Sequence, residues 1–70
     1  MKNENKIKHL KAGAAEYKTE IARLEAEIAY FEASPEIDHR DAKIAGNYQF
    51  ILDNLACLQT IYEELRDAAK

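Results

Sequence analysis

One cysteine, one proline, two glycines and no tryptophan in 70 residues leave few of the usual devices for holding a small protein together. The lone cysteine, Cys57, excludes an internal disulfide. It also stands far along the chain from His9 and His39, so no cysteine and histidine set has zinc-ligand spacing. Neither a metal nor a cofactor is therefore expected. No apolar run approaches the roughly 18 residues that span a bilayer, and the polar N-terminus lacks the apolar core of a secretory signal. With a single cysteine suited to a reducing compartment, these absences place the chain in the cytoplasm. There is no glycine-rich phosphate loop and no Ser/His/Asp set, so enzymatic activity is not expected.

A chain of this length buries only about 60% of the surface its unfolded form exposes. Without a disulfide or a metal, oligomerisation is the remaining source of stability. The formal net charge of −3 conceals a gradient. Residues 1–11 carry Lys2, Lys6, Lys8 and Lys11 against Glu4, whereas 12–36 hold Glu16, Glu20, Glu25, Glu27, Glu32 and Glu36 against Lys18 and Arg23. The C-terminal half is mildly acidic. An acidic body with one basic arm argues against nucleic-acid wrapping, which needs several phosphates neutralised over one surface.

What the chain does have is rhythm. Ile7, Leu10, Ala14, Tyr17, Ile21, Leu24, Ile28 and Phe31 recur at alternating spacings of three and four, the a/d pattern of a helix that lies along another helix. Good helix formers fill the remaining positions. A helix is predicted over about 6–33, after a frayed polar segment at 1–5. Gly13, beside Ala14, reads as a site of close helix approach. A second seam follows the proline: Ile37, Asp41, Ile44, Tyr48, Ile51, Leu55, Leu58, Tyr62 and Leu65. Ser34 is a good N-cap, Pro35 fits the first helical position, and Glu36 and Asp38 suit the positive end of the helix dipole. A turn at 33–35 and a second helix over about 35–67 are therefore predicted.

So short a connection forces the helices antiparallel. A turn near Ser34 makes positions face each other when their numbers sum to about 68: Phe31 meets Ile37, Leu24 meets Ile44, Ala14 meets Leu55 and Ile7 meets Tyr62. The fold class is all-α, an antiparallel two-helix hairpin of coiled-coil type forming a single domain over 6–70. One seam cannot hide all of the second helix, because Phe50, Leu52, Cys57 and Ile61 flank it. So wide an apolar arc marks a helix contacted from more than one direction. Two hairpins are expected to dimerise into a four-helix bundle.

Candidate functional residues follow from this frame. Phe50, Leu52, Cys57 and Ile61 are the expected oligomer or partner contacts. Asp41 is the one charge on an apolar seam and is a candidate buried carboxylate, with a solvated position at the hairpin tip as the alternative. His39, Arg40 and Lys43 cluster at the start of the second helix, with Tyr30 at the same end, and form a candidate anion site. The surrounding Glu32, Glu36, Asp38 and Asp41 largely cancel its field. Tyr17, Tyr48 and Tyr62 follow seam spacing and are expected in the core; Cys57 is expected to be a buried, inert thiol.

The expected function is that of a small interaction or regulatory protein, an oligomerising hairpin that binds and modulates another macromolecule, inhibition included, with itself and another protein as partners. Two alternatives compete: an oligomer that sequesters an anionic small molecule such as a nucleotide, and a weak nucleic-acid binder using the lysine-rich arm. No membrane association is expected.

Overall fold

The computed structural model describes residues 3–70; Lys2 of the basic arm, and residues 1–2 of the segment expected to fray, lie outside them. Two helices, α1 (Glu4–Glu32) and α2 (Arg40–Ala68), pack against each other as an antiparallel hairpin with principal extents of 55 × 14 × 11 Å. The two-helix, all-helical architecture predicted from the paired seams is present, and no strand occurs among the described residues.

All eight seam residues of α1 turn inward: Ala14, Leu24 and Ile28 are buried and the other five are half-buried. The helix begins at Glu4 rather than Lys6. Asn3, whose carbonyl accepts from the Ile7 amide at 2.9 Å, donates from its side chain to the Ala68 carbonyl at 3.2 Å. That link ties the two open ends together, which opposes fraying of residues 3–5.

The connection is longer than the sequence suggested. Helix α2 starts at Arg40, five residues later than predicted. The Ser34 carbonyl accepts from the Ile37 amide at 3.1 Å, which makes Ser34-Pro35-Glu36-Ile37 a β-turn with proline at its second position. Serine followed by proline suits such a turn as well as it suits a helix start. His39 then takes a left-handed conformation (φ 57°) and reverses the chain, and its carbonyl accepts the first α2 bond from the Lys43 amide.

The longer turn moves the register by one helical turn. Facing residues now sum to between 71 and 74: Asn3 with Ala68, Arg40 with Glu32, and Asn47 with both Leu24 and Glu27. A shift of about four keeps the same face of α1 in the seam, because side chains four apart share a face. Helix α2 is also rotated. Ile44, Ile51, Leu58 and Leu65 still face α1, but the positions alternating with them are Asn47, Asn54, Ile61 and Ala68 rather than Tyr48, Leu55 and Tyr62. Asn47 is accommodated because its amide donates to the Leu24 carbonyl at 3.3 Å and to Glu27 Oε1 at 3.1 Å. Asn54 donates to the Phe50 carbonyl at 2.8 Å. Polar side chains satisfied in this way can line a seam, since it is the unpaired buried polar group that is costly. Tyr48 and Tyr62 are thus exposed rather than in the core, whereas Tyr17 is half-buried as expected.

Neither glycine is required by packing. A Cβ at Gly13 would meet Ile61 Cδ1 at 3.6 Å, an ordinary contact, and one at Gly46 would meet nothing within 4 Å. Gly13 therefore does not mark an obligatory close approach. Both lie inside helices with no positive φ, where glycine costs about 1 kcal/mol relative to alanine. Gly46→Ala and Gly13→Ala are each expected to raise the stability of the hairpin by about that amount in a chemical-denaturation titration. A loss of stability in Gly46→Ala would contradict the helix geometry at that position.

Candidate interaction surface

The four expected contact residues do not form one patch. Phe50 and Leu52 are each 58% exposed, and Cys57 is exposed. Leu52 stands on one side of the seam, while Phe50 and Cys57 stand on the other. Ile61 is half-buried, facing Gly13 within the hairpin. Ile61 is therefore part of the intramolecular seam and not a free contact. Its place on the surface is taken by Tyr48, Leu55 and Tyr62, which with Leu52 are 44% to 58% exposed.

These four residues occupy one stripe, because their spacings of four, three and seven return to the same side of a helix. Helix α2 therefore carries two parallel seams. One, which includes Asn47 and Asn54, packs on α1, and the other, with Tyr48, Leu52, Leu55 and Tyr62, faces solvent. The seam predicted from the sequence combines Ile44, Ile51, Leu58 and Leu65 of the first with Tyr48, Leu55 and Tyr62 of the second. Leu55, Leu58, Gln59, Tyr62, Glu63 and Arg66 line a shallow surface groove of about 550 Å³ at the C-terminal end of the stripe. Lys18 of α1 holds its ammonium 5.5 Å from the centre of the Tyr62 ring, a cation–π contact that places Lys18 beside the stripe.

At the hairpin tip the structure brings His39, Arg40 and Lys43 to the start of α2, but Arg40 is already engaged. Its Nη1 donates to the Glu32 carbonyl at 3.2 Å, satisfying a carbonyl at the end of α1, and its Nε lies 3.8 Å from Asp41 Oδ1. The Asp41 side chain is 94% exposed, so the candidate buried carboxylate is in fact fully solvated. The register shift and the rotation of α2 remove it from the seam. Tyr30 is exposed and its ring lies 5.8 Å from that of Phe31, tilted by 56°. Glu36 and His39 share a Glu-x-x-His spacing, but they sit in the turn rather than on a helix. Among the described residues no group of three histidine, cysteine or acidic side chains is placed to hold a metal.

Electrostatic perturbations are confined to the surface. Arg23 donates to both Glu20 and Glu27 on one face of α1. The hydrogen bond from Arg23, reinforced by its charge, lowers the Glu20 pKa. A lowered carboxylate stabilises the fold above its unfolded value, and that contribution fades as pH falls through the folded one. Across the hairpin, the Tyr17 hydroxyl meets Cys57; this hydrogen bond, and then the charge of the thiolate, raise the tyrosine pKa above its ordinary value. Cys57 is thus an exposed thiol with a tyrosine neighbour, not a buried one. In a phenolate absorbance titration, Cys57→Ala is expected to return Tyr17 toward the ordinary phenol range. An unchanged titration would remove the contact.

No helix among the described residues is long and apolar enough to cross a membrane. Comparison with known proteins finds no matching family model, no matching curated protein and no matching solved structure. The surface itself therefore has to carry the functional reading.

Proposed function

We propose that the chain is a small non-enzymatic interaction protein: a helical hairpin that dimerises into a four-helix bundle and binds and modulates another macromolecule. One observation supports this above all. Tyr30, Tyr48, Phe50, Leu52, Leu55 and Tyr62 are large apolar residues left exposed, whereas among the described residues only Ala14, Leu24, Ile28 and Leu58 are buried. Single exposed apolar residues are ordinary, but a set that outnumbers the core, with all but Tyr30 gathered on α2, is the mark of contact surfaces. The two sides of α2 allow a division of labour. The Tyr48–Tyr62 stripe serves self-association, and the Phe50/Cys57 side remains for a different partner.

Affinity capture from cells that make the protein natively tests the second half of this reading. Wild-type chain and Phe50→Lys are used as paired baits, with circular dichroism confirming that the variant is helical. The expected result is a macromolecule recovered with wild type and lost with the variant. Identical recoveries from both baits would end the assignment of a partner to this side. The anion-binding alternative draws no comparable support, since Arg40 is committed to Glu32 and Asp41 and acidic groups surround the tip; the nucleic-acid alternative rests on the lysines of the N-terminal arm alone.

A further inference from the structure

Resting on the self-association proposed above, we infer that the exposed stripe of α2 is a self-complementary interface that pairs antiparallel with the same stripe of a second copy of this chain. Surface area is the first argument. The chain exposes 5347 Å², whereas a compact protein of 8.0 kDa exposes about 4,450 Å². The excess of about 900 Å² is close to the roughly 800 Å² that each partner contributes to a standard stable interface. A hairpin of this size thus carries about one interface's worth of surface that its own fold does not use.

The order of residues along the stripe identifies the occupant. The spacing of four and three runs outward from Leu52 and Leu55 through Tyr48 and Gln59, then Ala45 and Tyr62, to Asp41 and Arg66 at the ends. In an antiparallel pair of helices each a position meets a d position of the other strand. A two-fold axis midway between Leu52 and Leu55 gives a complete set of such layers. Leu52 meets the partner's Leu55 at the centre, and Tyr48 meets the partner's Gln59, hydroxyl to amide. Next, Tyr62 fills the space left by the partner's Ala45. At each end Asp41 meets the partner's Arg66, opposite charges on side chains that now stand 94% and 62% exposed. Moving the axis by one heptad leaves an end of the stripe without a counterpart. Parallel pairing would set Asp41 on Asp41 and Arg66 on Arg66.

Helix α1 supplies an independent charge argument for the same axis. Lys18 lies on the stripe side, over Tyr62. Residues seven apart share a face of a helix, so Lys11, Glu25 and Glu32 join Lys18 beside the stripe. That row reads basic, basic, acidic, acidic along α1. With facing residues summing to 71–74, the twofold between Leu52 and Leu55 lies level with residues 18–20 of α1. Lys11 of each chain then comes beside the partner's Glu25 while Lys18 lies near the axis; a parallel arrangement would align all four residues like with like. The side of α2 that bears Phe50 and Cys57 takes no part in this interface.

Sedimentation equilibrium tests the inference on the full-length chain, with circular dichroism to confirm that each variant is helical. Wild type is expected to be a dimer. Asp41→Arg alone and Arg66→Asp alone each place two like-charge pairs across the twofold and are expected to weaken the dimer by about tenfold. The double variant is expected to regain most of the wild-type affinity. That recovery separates direct pairing from incidental effects on each helix end, because such effects would accumulate. Leu52→Lys, at the centre, is expected to give monomers. If the double variant is as weak as the sum of its parts, the pairing is wrong. If Phe50→Lys yields monomers and Leu52→Lys does not, self-association stands but this interface does not. A wild-type chain that stays monomeric up to millimolar concentration would overturn both this interface and the self-association it rests on.

Discussion

Leu58→Ala is expected to leave the hairpin largely unfolded at 37 °C. Leu58 is 5% exposed and is the one buried residue contributed by α2, facing a core otherwise supplied by Ala14, Leu24 and Ile28 of α1. Truncating a buried leucine to alanine removes its transfer energy and leaves a cavity, at a cost of about 2–5 kcal/mol. A chain of 70 residues has a total stability of roughly 3.5–10 kcal/mol, so this one change approaches the whole. Each kilocalorie moves the midpoint of a domain this size by about 4–8 °C. A fall of at least about 10 °C in a far-ultraviolet circular dichroism melt is the expected signature. Leu52→Ala is the matched control, since its side chain stands outside the hairpin seam; under conditions where the chain is monomeric it should change the midpoint by no more than a few degrees. Equal effects from the two substitutions would mean that α2 is rotated relative to the arrangement described.

That rotation marks the boundary of what periodicity could reveal. The eight-residue seam of α1 was fully legible because its flanks are charged residues and alanines, so a single apolar frame exists and burial has one solution. Helix α2 offers two overlapping frames that share Ile44, Ile51, Leu58 and Leu65. The choice between them is made by tertiary hydrogen bonds from Asn47 to Leu24 and Glu27, and hydropathy cannot register those. The turn was ambiguous for a related reason: Ser34-Pro35 satisfies both a helix start and a β-turn, and the backbone reversal falls at His39, a residue with no strong local signal. These two points account for the misplaced site residues. Once α2 starts at Arg40 and turns its asparagines inward, Asp41 and Tyr48 must leave the seam and Ile61 must enter it. Phe50 and Leu52 were legible as exposed because they lie outside both solutions for the hairpin seam.

A hundredfold dilution is expected to lower the melting midpoint of the wild-type chain by roughly 10 °C. If folding is completed by dimerisation, dilution favours the unfolded monomers by mass action, and a factor of 100 corresponds to about 2.7 kcal/mol per dimer. Unfolding entropy is about 2.1 cal/mol/K per residue, so two chains of 70 residues gain about 0.3 kcal/mol/K, and the quotient is roughly 9 °C. A hairpin held together only by its own seam has no such dependence, because all of its contacts are intramolecular. The geometry makes the distinction sharp: the seam that joins α1 to α2 is insensitive to concentration, and the Tyr48–Tyr62 stripe is the contact that dilution can remove. Leu52→Lys should therefore melt at the same temperature across the dilution series, near the dilute limit of wild type, and remain helical below its midpoint. A wild-type midpoint that does not move on dilution would show that the four buried residues and their half-buried neighbours suffice to hold the fold. In that case the exposed leucines and tyrosines of α2 are free for a partner other than a second copy of the chain.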